Sequence, residues 1–70
     1  MRLKSSDTLR ALMHQSGLST RGLAAQVGCD HSFIDHLLAG RRLGAGHELA
    51  SEISRAVGAP EDLLWDGDSA

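Results

Sequence analysis

Gly17, Gly28, Gly40 and Gly58 each close a stretch of apolar residues at helical spacing, and this punctuation confines the chain to short helices. The first stretch places Leu9, Leu12 and Met13 on one face after a capping Ser6. The second carries Leu23, Ala24 and Val27 after Ser19, with Leu18 and Leu23 positioned as a hydrophobic staple across the cap. Asp30 caps the third, Cys29 and Ile34 occupy its staple positions, and Ile34, Leu37 and Leu38 form its apolar stripe. Past the looser "RRLGAG", a fourth helix has Leu49, Ile53, Ala56 and Val57 on one side and glutamates on the other. Pro60 suits the first turn of a fifth, with Glu61 and Asp62 near its positive end. Leu63, Leu64 and Trp65 are expected to fold back onto the core.

Phe33 and Trp65 are the only aromatic residues among 70, so the core has to be aliphatic, which suits packed helices better than a sheet. The expected fold is all-α, with one five-helix domain over residues 1–65 and a short acidic tail over 66–70. No apolar run approaches the roughly 20 residues that cross a bilayer. The opening "MRLKSSD" lacks the apolar stretch of a signal peptide, and one cysteine cannot make an internal disulfide. These features set a cytoplasmic location as the expectation, with no membrane partner.

The second and third helices are separated only by Gly28, Cys29 and Asp30. So short a connection forces a steep crossing, as in a helix-turn-helix. A small residue is needed where the backbones approach, and Ala24 supplies it; Gly28 tolerates the positive φ of the turn. Charge is divided along the chain. Residues 1–42 hold six basic and three acidic side chains, whereas residues 43–70 hold Arg55 against six acidic ones, so a net charge of −2 still permits a basic face.

The stretch "LSTRGLAAQVGCDHSFIDHLLAGRR" resembles the helix-turn-helix of the lambda-repressor/Cro-type family, also called the XRE family. Leu23, Ala24, Val27, Gly28, Ile34, Leu37 and Gly40 match its pattern, and the likeness extends over about residues 7–65, including the closing "PEDLLW". Thr20 and Gly22 depart from the glutamine and glutamate common there. Met13 and Leu38 stand where many members pair an arginine with a glutamate. They read as a packing contact replacing the ion pair, so Leu38→Glu alone is expected to cost about 3 kcal/mol.

The resemblance implies that the third helix enters the major groove of double-stranded DNA, reading an operator site with its N-terminal residues. His31, Ser32 and His36 lie opposite the apolar stripe and are the base-reading candidates. Asp35 either accepts from cytosine N4 or is a solvated charge, and Phe33 either packs against Leu37 or touches a thymine methyl. Phosphate contacts are expected from Thr20 and Arg21 at the start of the second helix, from Arg41 and Arg42, and from backbone amides around Gly46. Arg2 and Lys4 form either a loose arm or a solubilising tail. Family members commonly bind as dimers; the Leu63, Leu64 and Trp65 end and the fourth helix are candidate surfaces for a homodimer, with monomeric binding the alternative.

Cys29, His31 and His36 invite a zinc reading, but His31 and His36 are separated by about 140° around a helix, and no metal or other cofactor is expected. No nucleophile motif or phosphate-binding glycine loop is present, and so small a helical domain offers little concave surface for a small-molecule ligand, so an enzyme is not expected. The leading reading is a sequence-specific, Cro- or repressor-like transcriptional regulator of a phage or mobile element. The alternative is a protein-interaction module, an antitoxin or anti-repressor component, favoured by the acidic half. Met1 and the acidic tail read as natural ends, an isolated domain being the other option.

Overall fold

A computed structural model describes residues 1–66. In chain order these form β1 (Arg2–Leu3), α1 (Ser6–Gln15), α2 (Thr20–Val27), α3 (His31–Ala39), α4 (His47–Val57), α5 (Glu61–Leu64) and β2 (Trp65–Asp66). Gly17, Gly28, Gly40 and Gly58 follow the four longer helices with φ between 70° and 79°, so the helices end where the sequence marks them. Ser19 Oγ accepts from the Gly22 amide at 3.0 Å and Asp30 Oδ1 from the Ser32 amide at 3.5 Å. The cap of α1 is Ser5 rather than Ser6, with its Oγ accepting from the Thr8 amide at 3.3 Å. Ser5 has the extended backbone a cap requires, whereas Ser6 is already helical. Pro60 likewise is the cap of α5, and Glu61 its first helical residue.

The helices share one core, aliphatic except for Trp65: Leu9 and Met13 from α1, Leu23 and Ala24 from α2, Ile34 and Leu37 from α3, Ala50, Ile53 and Val57 from α4. Leu64 and Trp65 close it, but Leu63 does not fold back with them and remains 49% exposed. Adjacent helical residues point about 100° apart, so one turn of helix delivers one of the two leucines to the core. Met13 is buried, and Leu38 is half-buried against the same cluster. That partial exposure gives a carboxylate at position 38 a path to water, which lowers the cost of Leu38→Glu below the sequence-based figure.

The N-terminal segment is neither a loose arm nor a tail. β1 pairs antiparallel with β2, Arg2 opposite Asp66 and Leu3 opposite Trp65. On its other side the Leu3 amide donates to Leu43 O at 2.8 Å and the Ala45 amide to Met1 O at 2.9 Å. The Lys4 amide then donates to Leu64 O at 2.8 Å. A Cβ at Gly44 would collide with the carbonyl oxygen of Met1 and sit 3.1 Å from Arg2 Cα, so glycine is what lets the two segments meet. Of the acidic stretch expected over 66–70, Asp66 belongs to β2 and residues 67–70 lie outside the described residues. Among the described residues no helix is long and apolar enough to cross a membrane.

Candidate nucleic-acid interface

The turn between α2 and α3 is built around one carbonyl. Ala24 O accepts from the amides of both Gly28 and Cys29, each at 2.9 Å. This double acceptance needs Gly28 in the left-handed region, at φ 78°, which a side chain rarely adopts. Ala24 is 3% exposed, and its methyl is small enough to let α3 lie close against α2. Cys29 is half-buried against the core, as a staple residue should be. Burial pushes its thiol pKa up, and the Asp30 carboxylate adds to that shift. A protonated thiol is a poor nucleophile and a poor metal ligand.

With Ile34 and Leu37 turned inward, α3 presents His31, Ser32, Asp35 and His36 to solvent. Ala39, which sequence reasoning passed over, is exposed as well. At about 100° per residue it falls on the side of Ser32 and His36, so the wheel alone could have found it. His31 Nδ1 lies 3.6 Å from Asp30 Oδ1, so the capping carboxylate touches a candidate reader. Histidine, serine and aspartate together offer both donors and acceptors, the chemistry that base edges in a major groove require.

Gly40 turns the chain back along α3, and the Arg41 and Arg42 amides donate to His36 O at 2.9 and 3.1 Å. Both arginine side chains are exposed. The Arg42 guanidinium carbon stands 4.6 Å from the centroid of the half-buried Phe33 ring. No sequence signal announced this pairing of residues nine apart across a glycine turn. Thr20, half-buried, and Arg21, exposed, occupy the first turn of α2, the helix that packs against α3.

Gly46 is exposed and caps α4 without a side-chain hydrogen bond, so the first amides of that helix have no side-chain acceptor from their cap. Arg10 was also missed: its Nη2 donates to Leu38 O at 3.3 Å, tying α1 to the last turn of α3. It lies three residues before Met13 in α1, a spacing that puts it near the same face. The arginines at 41 and 42 thus join α3 directly, whereas the Gly46 carbonyl accepts from the Ala50 amide within α4.

Elsewhere, an open groove of about 610 Å³ lies along α4, lined by Val27, His47, Glu48, Ser51, Glu52 and Arg55 among others. Its lining combines Glu48 and Glu52 with Arg55, charges of both signs. Among the described residues no group of three or more His, Cys, Asp or Glu side chains is placed to hold a metal ion.

A short two-helix unit joined by a glycine turn, with a polar outer face and arginines at its edge, defines a helix-turn-helix DNA-binding protein. A family model described as "Helix-turn-helix domain" matches residues 6–65, and the chain belongs to that family. No curated protein matches the chain.

Proposed function

We propose that this domain is a sequence-specific regulator of transcription of the Cro or repressor type, reading an operator in double-stranded DNA with α3. The observation that carries the reading is the division of α3 into a buried apolar side, Ile34 and Leu37, and an exposed hydrogen-bonding side, His31, Ser32, Asp35 and His36. Such a face has no packing role, and its donors and acceptors gain most from base edges. In this reading Arg41 and Arg42 neutralise phosphates on one side of the groove. On the other side Arg21 does the same and the Thr20 hydroxyl donates to a phosphate oxygen, while the open amides after Gly46 take a further phosphate.

A homodimer on two half-sites about one DNA turn apart belongs to the same reading. Leu64 and Trp65 are buried and unavailable for it, which leaves Leu63 and the outer face of α4 as the contact.

The test is selection of bound sequences from a random duplex pool, followed by titration of the recovered site at several salt concentrations. One enriched motif is expected, palindromic if the domain dimerises, with affinity falling steeply as salt rises. Failure to bind any duplex at low salt would overturn the proposal in favour of a protein-interaction role.

A further inference from the structure

We propose that Phe33 is a positioning residue for Arg42: its ring holds the guanidinium in the pose that grips a DNA phosphate. The inference rests on the reading of α3 as the DNA-contacting helix. It starts from a contrast within the Arg-Arg pair. Both backbone amides are pinned to His36 O, so both arginines leave the last turn of α3 from a fixed origin. The Arg42 guanidinium is found over an aromatic ring, 4.6 Å from its centroid.

Stacking and hydrogen bonding use different parts of a guanidinium. A ring engages the flat face of a guanidinium that lies on it, while the five N–H donors lie in the guanidinium plane and point outward from its edge. Arg42 can therefore keep its place over Phe33 while donating two parallel hydrogen bonds to phosphate oxygens. A freely rotating arginine gives up most of its rotamer freedom when it binds. One already held by a ring has less to lose.

Phe33 is suited to this duty and poorly suited to base reading. It is half-buried and packed against the core, so its ring is itself held in place. On α3 it stands about 100° from Ser32, toward the buried side and away from the centre of the polar face. The left-handed turn at Gly40, φ 79°, brings the chain back so that residue 42 meets residue 33.

The proposal makes Phe33 act through Arg42, and a double-mutant cycle on duplex affinity reads this directly. Phe33→Leu should weaken binding to the selected site and to random duplex alike, by about two- to five-fold. In an Arg42→Ala background the same change should have no effect, and Phe33→Trp should retain the affinity of the parent. Arg42→Lys, at an exposed position where folding is not at stake, keeps the charge but loses the planar fork. It should lose affinity as Phe33→Leu does, and adding Phe33→Leu should cost less than it does beside Arg42. In the free protein the Arg42 Hδ protons should show an upfield ring-current shift that disappears in Phe33→Leu. A loss in Phe33→Leu that persists without Arg42, or one confined to the selected site, overturns the proposal and assigns Phe33 to a base contact. Absence of the ring-current shift overturns it as well. If the unaltered domain binds no duplex, the DNA reading falls and this role with it, whereas binding without coupling removes this role alone.

Discussion

The indole Nε1 of Trp65 donates to Ser54 Oγ at 2.9 Å, inside the core. This bond joins α4 to the C-terminal strand, and the strand in turn pairs with β1. Ser54→Ala would leave a buried N–H with no acceptor, at a cost of about 1–3 kcal/mol. For a domain of this length each kcal/mol lowers the melting temperature by about 4–8 °C. Trp65 is the only tryptophan, so its fluorescence can follow the transition. Adding Trp65→Phe to Ser54→Ala removes the orphaned donor, and the double variant should melt above the additive expectation. An unchanged melting temperature in Ser54→Ala would show that water reaches the indole.

Gly44 faces the backbone of residues 1 and 2. Gly44→Ala puts a methyl group against the Met1 carbonyl, and the atoms it meets there are all backbone, which leaves little room to yield. The expected result is separation of β1 from residues 43–45, read as faster hydrogen exchange at the Leu3 and Ala45 amides. Exchange in α2 and α3 should change much less, because most of their packing is with each other and with α4 and α1. Gly46→Ala is the control, since a Cβ at that position meets nothing within 4 Å. Equal exchange in the two variants would refute the close-approach account.

The four longer helices and the inward residues of α2 and α3 were legible because caps, staples and left-handed glycines are local signals with fixed spacings. The two-stranded pairing of residues 2–3 with 65–66 was not. Two residues cannot display a period of two, and their partner lies at the far end of the chain. Leu63, expected to fold back with Leu64 and Trp65, was misjudged for a related reason: a single turn of helix has too few residues to define an apolar face. At the site, the outward set on α3 followed from helix periodicity. The stacking of Arg42 on Phe33 depends on the exit direction after Gly40, which periodicity does not encode.

Cys29 should titrate above an ordinary thiol, first because it is partly buried and second because of Asp30. Asp30→Asn removes the second cause only, so the thiol pKa should fall part of the way back. The pH dependence of alkylation rate measures this. The linkage sign follows from the direction of the shift. The folded domain holds this proton more tightly than the unfolded chain, so the contribution to stability is whole below the unfolded thiol pKa. It is lost as pH rises through the raised folded value. Cys29→Ala should remove that alkaline loss, and a thiol pKa unmoved by Asp30→Asn would exclude the carboxylate as a cause.

His36 and Arg41 stand at adjacent ends of one structure, the Arg41 amide donating to His36 O at 2.9 Å, yet their side chains should fail in opposite ways. Arg41→Ala removes an exposed cation beyond the last turn of α3, so selected and random duplexes should weaken alike. The slope of log affinity against log salt should flatten by about one unit. His36→Ala leaves the charge of the rim intact and removes a group from the polar face. Affinity for the selected site should drop by about 1–3 kcal/mol, while random duplex and the salt slope stay nearly constant. The backbone bond survives both substitutions, so neither should change the melting temperature by much. If His36→Ala left the selected motif unaltered at every position, His36 would make no base contact, and readout by α3 would rest on His31, Ser32 and Asp35.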